Sequence, residues 1–213
     1  MTTITGLDHR QEFAGAWADP GHTRYELPPV DINALLADRY TTGSPLAFTL
    51  DMLWDVEVRK AWQPDRYIPG VVRAGSARAW GRRQETDGAE SFVRSSRQRL
   101  WLQPDERGLV LEQAYVDHHA RTITFIGATR LPGPDETPLQ ADPRQALFHV
   151  EHSARGPADR PVIRWRIVHL TAEPHPALGQ VFARFAAGPW LPEYVEIYIR
   201  EDLGVPLRCR PVR

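Results

Sequence analysis

The groups best able to move a proton are concentrated in Phe148-His149-Val150-Glu151-His152 and, further on, His169. Imidazole titrates near neutral pH, and an adjacent carboxylate can orient it as a general base. In an extended chain, His149 and Glu151 share one face and His152 takes the other. His169 falls on the face of Ile163, Trp165 and Ile167, which reads as the inner one. Strand register then decides whether His149 or His152 approaches His169. Two histidines and a carboxylate could also hold a divalent metal with an open position. The spacing matches no strict signature such as His-Glu-x-x-His, so no metal is assigned. A plainer reading turns Ala146, Phe148, Val150 and His152 inward. His149 and Glu151 then face solvent, and Glu151 pairs with Arg164 or Arg166 for a few tenths to about 1 kcal/mol.

Other candidates are thinner. Asp117-His118-His119 sits where a tight turn is expected, so it reads as a surface turn. There is no Gly-x-Ser-x-Gly elbow and no glycine-rich phosphate loop, which disfavours acyl-transfer and nucleotide chemistry. The single cysteine, Cys209, allows neither an intramolecular disulfide nor a multi-cysteine metal site. Aromatic residues recur in two places, at Trp54, Trp62 and Tyr67, and at Phe182, Phe185, Trp190, Tyr194 and Tyr198. An aromatic stripe at helical spacing reads as core more readily than as pocket lining; as lining, Tyr194 and Tyr198 would offer hydroxyls to a ligand beside Glu196 or Arg99.

These residues must be positioned by a chain whose period changes twice. Residues 1–30 read as a loosely structured entry arm with a short strand at Thr23–Leu27. Asp31 caps a short helix bearing Ile32, Leu35, Leu36 and Tyr40. Ser44 followed by Pro45 predicts the start of a second helix, with Leu50, Leu53, Trp54, Val58 and Trp62 on one face, ended by Pro64. Alternation then predicts strands at Val71–Arg82, Ser91–Leu102, Gly108–Val116, Thr122–Leu131, Gln145–His152 and Pro161–Thr171. Their short connections imply an antiparallel meander. Beyond Pro174 helical spacing returns, broken at Gly188-Pro189 into one kinked helix or two consecutive ones.

With 213 residues, an apolar fraction of 42% and a net charge of −1, the expectation is one soluble domain spanning 1–213. No basic run favours nucleic acid, and no apolar stretch is long enough for a membrane span. Met1 to Gln11 has no apolar run and does not read as a signal peptide, and the lone thiol fits a cytoplasmic location. Lys60 is the only lysine among 26 basic residues, a bias that reads as genome composition rather than chemistry.

The string Leu53-Trp54-Asp55 through Trp62-Gln63-Pro64-Asp65-Arg66-Tyr67-Ile68-Pro69-Gly70-Val71 resembles the entry to the sheet in the START and polyketide cyclase/dehydrase (SRPBCC, helix-grip) superfamily. The resemblance covers the layout of residues 44–203. It implies an α+β fold in which about six antiparallel strands curve around a long, kinked C-terminal helix and enclose a pocket. Members carry a strand before their first helix, whereas the chain before Ser44 reads as helix and loop. A cone-shaped NTF2-like or ketosteroid-isomerase architecture is the rival.

The function expected is a cofactor-independent enzyme of a small-molecule pathway in secondary metabolism. It would cyclise, dehydrate or isomerise a bulky apolar or polyketide-like compound by shape and acid–base catalysis. Candidate catalytic residues are His149, Glu151, His169, Tyr115 and Arg99. Candidate ligand-binding residues are Trp54, Trp62, Trp165, Phe182, Phe185, Tyr194 and Tyr198. A carrier of a hydrophobic or polyphenolic ligand is the alternative. A third is a partner-binding domain, with a homodimer formed through an exposed strip at Tyr194 and Tyr198.

Overall fold

The computed structural model describes residues 7–186 and 191–210. The chain opens with helix α1 (His9–Ala18), strand β1 (Thr23–Glu26), the two-residue β2 (Val30–Asp31), α2 (Ile32–Arg39) and β3 (Tyr40–Thr42). Helix α3 (Leu50–Trp62) and the single turn α4 (Pro64–Tyr67) lead to four long strands. These are β4 (Arg78–Gln84), β5 (Glu90–Arg99), β6 (Arg107–Asp117) and β7 (Thr122–Ala128). A hairpin, β8 (Arg130–Pro132) with β9 (Pro138–Gln140), precedes β10 (Phe148–Arg155) and β11 (Val162–His169). Then come α5 (Pro176–Ala186), α6 (Glu193–Ile197), a π-helical turn (Tyr198–Asp202) and β12 (Leu207–Cys209).

The main sheet is antiparallel in the order β1-β11-β10-β7-β6-β5-β4, and β2 also pairs with β11. A strand lies within or across each predicted long span, but the first begins only at Arg78, and the Thr122 strand ends at Ala128, with Arg130–Pro132 turned into a separate hairpin. The edge strand that the resemblance requires is β1, which pairs Thr23 with His169 and Glu26 with Arg166. Between β4 and β5 the register shifts past Trp80, where Gly81 has a φ of +66° that a side-chain-bearing residue rarely adopts.

Alternation assigns the two faces. Phe148, Val150, His152 and Ala154 on β10 point with Ile163, Trp165 and Ile167 of β11 towards the main core. Helices α2, α3 and α6 cover one end of this inner face, through Ile32, Leu36, Leu53, Val56, Tyr194 and Val195. Phe182 of α5 covers the other end, against Phe148 and Ile167. Burying side chains of this size contributes roughly 1.5–3 kcal/mol each before the entropic cost.

Three local expectations are corrected. The entry arm contains a complete helix, α1, capped by Asp8, which accepts from Arg10 and Gln11. It packs Phe13 on the outer face, against Ile126 and Val168. Helix α3 starts at Leu50 rather than after Ser44. Thr49 caps it, and the Asn33 side chain bonds both the amide and the carbonyl of Phe48, holding that stretch out of the helix. The C-terminal helix is short. Its 11-residue α5 is separate from α6, whose N-cap is Pro192, and the five-residue α6 passes directly into the π turn. Among the described residues no helix is long and apolar enough to cross a membrane.

Candidate functional site

Helix α3 buries Leu53, Val56, Glu57, Lys60 and Ala61 as one stripe. Glu57 and Lys60 thereby enter the core, at 1% and 2% exposure. The i,i+3 spacing brings Lys60 Nζ to 2.6 Å from Glu57 Oε2, close but not aligned as a hydrogen bond. The ammonium lies 3.7 Å from the centre of the Tyr194 ring and 4.9 Å from that of Trp165. Tyr194 donates its hydroxyl to Glu57 Oε1 at 2.5 Å, and His152 Nδ1 stands 3.2 Å from Oε2. His152 stacks on Trp165 at 4.9 Å between centroids, and Trp165 stacks on Tyr194 at 5.9 Å.

The electrostatics follow from burial. Desolvation alone would raise the Glu57 carboxyl, but Lys60 and then His152 hold it well below the usual carboxylate range. Burial pulls the Lys60 ammonium down to about 8, against the pull of Glu57. Burial, aided by the Lys60 charge, lowers His152 to about 4, so the ring is neutral at pH 7. Tyr194 is raised well above its ordinary value by burial and by Glu57. The cluster thus combines an ionised pair, a neutral imidazole and an un-ionised phenol. The His152 side chain, 14% exposed, is its most accessible member.

A second buried pair adjoins the first. Arg94 on β5 bonds Glu112 of β6 at 2.8 Å and the carbonyl of Ala61 at 2.9 Å, with its guanidinium 3.9 Å from the centre of the Phe125 ring. Gln98 reaches the same Glu112 oxygen at 3.4 Å and Ser96 at 3.2 Å.

The structure does not bring the five expected catalytic residues together. Glu151 is on the outer face, bonded to Arg166 at 2.6 Å, as the plainer reading of its strand required. His149 is also on the outer face but is not solvated. Helix α1 covers it, its Nδ1 accepts from the Gly127 amide at 3.1 Å, and its Nε2 is 3.8 Å from Glu12. His169 is inward and 1% exposed, between the rings of Phe148 and Phe182, and burial lowers it to about 4. Its position four residues along β11 from Trp165 separates it from His152 by roughly 13 Å. Tyr115 is on the outer face with Arg10 and Asp87, and Arg99 lies directly opposite Arg107.

The expected ligand-binding residues fall into separate groups. Trp165 and Tyr194 belong to the cluster. Trp62 stacks on Phe92 at 3.9 Å, and Trp54 donates to His118 of the turn at 3.3 Å. Tyr198 donates to Asp55 at 2.7 Å, and Phe182 touches Tyr25, Trp101 and His169. The Phe185 side chain and Trp190 lie outside what the structure describes. Tyr194 and Tyr198 are 0% and 4% exposed, so they form no exposed strip for a partner.

Neither Glu57 nor Lys60 is among the site residues that the sequence singles out. Their signal was positional, because they follow Leu53 by four and seven residues and so share its face.

An antiparallel sheet with N-terminal helices and a C-terminal helical segment on its inner face has the START/polyketide cyclase-like, helix-grip layout. Helices placed after the last strand of the main sheet depart from the NTF2-like alternative. No protein-family model and no curated protein matches the chain. Among solved structures it is similar to the Zhui aromatase/cyclase from Streptomyces sp. R1128. That match has 16% identity and a TM-score of 0.48, and covers 83% of this chain and 96% of the other. A START superfamily protein from Mycobacterium smegmatis matches at 11% identity and TM-score 0.44, over 86% and 96%. The di-domain ARO/CYC StfQ of the steffimycin biosynthetic pathway matches at 11% and 0.40, over 92% of this chain and 49% of that one. Likenesses this distant say nothing of ligand or reaction.

Proposed function

We propose that this protein is a cofactor-independent acid–base enzyme acting on a bulky apolar or polyketide-like compound on the inner face of its sheet. The reaction class is cyclisation, dehydration or isomerisation. The observation that carries the reading is the buried set Glu57, Lys60, His152 and Tyr194 within aromatic walls. Buried ion pairs are costly to desolvate and are poor stabilisers compared with apolar side chains of the same volume. Perturbed titrating groups of this kind concentrate at functional sites.

In this reading the Nδ1–H of His152 donates a hydrogen bond to Glu57, which fixes the tautomer and leaves Nε2 free to take a proton from substrate. The site's proton acceptor is therefore neutral throughout the physiological range. The Lys60 ammonium, held behind the Tyr194 and Trp165 rings, acts on the developing enolate or phenolate through its field rather than by contact, and Trp165 orients the ring system. His169, beside Phe182, is a second proton-transfer candidate at the other end of the same face. His149, Glu151, Tyr115 and Arg99 lie outside this assignment. A carrier of a hydrophobic ligand is favoured by one feature: both oxygens of Glu57 already have partners within the protein.

Hydrogen–deuterium exchange at the acidic carbon of 1-phenyl-1,3-butanedione, followed by NMR, tests proton abstraction directly. The native protein should accelerate exchange by roughly 10²-fold or more, and His152→Ala should remove the acceleration. Acceleration that survives in His152→Ala would refute the assignment. No acceleration, with an unchanged apolar ligand recovered by native mass spectrometry, would favour the carrier.

A further inference from the structure

The outer face carries an arrangement that the acid–base cluster does not use. Between the β4–β5 edge and the β8–β9 hairpin lies an open cleft of about 530 Å³. Arg73, Arg78 and Arg97 line it, together with Leu109, Pro134 and Leu139. Register explains the gathering: Arg78 is opposite Ser95, Arg97 is opposite Leu109, and the Arg73 amide bonds the Arg97 carbonyl. The positive strip continues along the same face to Arg99, directly opposite Arg107.

Like charges placed directly opposite one another destabilise a sheet. Among the described residues none of these five guanidiniums has a carboxylate within 4.0 Å. Asp135 is the one acid among the described residues that line the cleft, and its Oδ1 already accepts from the Thr137 amide at 3.1 Å. Asp142, near enough to Arg97 to feel its charge, is held by Arg144 at 2.7 Å. A second outer-face hollow, of about 290 Å³, provides the contrast. It gathers Arg155, Arg164 and Arg166 but answers them with Glu26 and Glu151.

We propose that the 530 Å³ cleft binds an anionic small molecule, with a phosphate or carboxylate head on a compact apolar body. The guanidiniums of Arg73, Arg78 and Arg97 take the head through paired N–H bonds, which suit both anions. Leu109, Pro134 and Leu139 take the body. A concave cleft of this volume is the shape of a small-molecule site rather than of a flat protein interface, and cleft walls focus the positive field.

The test is titration of the full chain at low salt with phenyl phosphate, benzoate and neutral phenol, monitored at the amides of Gly75, Ser76 and Thr137 by NMR. At least one anion should give saturable shifts that phenol does not, and the stronger anion identifies the head group. In Arg78→Ala/Arg97→Ala the affinity should fall by about tenfold or more, while Tm stays unchanged or rises because repulsion has been relieved. His152→Ala should bind the anion like the native protein, so failure here is separable from failure of the acid–base reading. Three results would overturn the proposal: no saturable shift with either anion, equal binding of phenol, or anion binding unchanged in the double variant. Tighter binding of poly-glutamate than of either anion would overturn it in favour of an acidic protein partner.

Discussion

Arg94 and Arg97 stand three residues apart on β5 and occupy opposite worlds. Arg94 is 7% exposed and bonded to Glu112 and Ala61, whereas Arg97 is exposed on the other face with no carboxylate within 4.0 Å among the described residues. On this strand the inner face buries Arg94 only as a pair with Glu112, and the outer face leaves Arg97 to water. The contrast follows from dielectric. A lone charge in the core carries several kcal/mol of desolvation, while a lone charge in water carries almost none. Inside, partners are therefore obligatory for folding. Outside, unpaired charge survives at little cost and is available for binding.

The largest effect is expected where one inner partner is removed. Lys60→Met should destabilise the protein by about 3–5 kcal/mol in urea unfolding, because Glu57 is left as an uncompensated buried charge. Lys60→Met combined with Glu57→Gln should lose much less than the sum of the single changes. Additive losses would mean that the pair is not coupled. Arg94→Met should cost about 3 kcal/mol by leaving Glu112 with only the Gln98 amide, and comparable damage from Arg97→Met would collapse the comparison between faces.

A pH titration sharpens the same contrast. His152 and His169 fall from 6.5 to about 4 in the folded protein, so the unfolded chain takes up their protons first. Their contribution is complete above about pH 6.5 and is lost as pH falls towards 4, by up to about 3 kcal/mol for each ring. Replacing both with Phe should flatten the stability curve across that window. An unchanged slope would show that neither ring is buried neutral. The smallest effect belongs to the outer face, where Arg97→Ala should shift unfolding stability by no more than about 0.5 kcal/mol.

Much of this architecture was legible in the sequence. Alternation located the long strands, and turn residues bounded them. The sequence leaves two readings of β10 open, and the observed register is that of the plainer one, with the even positions inward and Glu151 paired with Arg166. Helix α1 escaped because it buries only Phe13 and Ala16, too few apolar positions for a periodic signal. Ser44-Pro45 is a good local cap, yet α3 starts later because Asn33, eleven positions upstream of Ser44, holds Phe48 extended. The plainer reading leaves His149 in solvent because nothing in the pattern announces α1, which covers it. The Glu57–Lys60 cluster needed tertiary knowledge, since an i,i+3 pair of opposite charges usually marks a solvated helix face. The outer cleft is a matter of register, which alternation alone does not give.

The burial of Lys60 also makes the chain a clock for its own opening. It is the only lysine in the sequence, so apart from the terminal amine no other primary amine competes for an acylating reagent. Its Nζ is screened by Glu57, Tyr194 and Trp165. An amine-reactive pulse should therefore mark a molecule only during the interval in which α3 has lifted from the sheet. A single mass increment, counted over time, would give the frequency of that event without any engineered label.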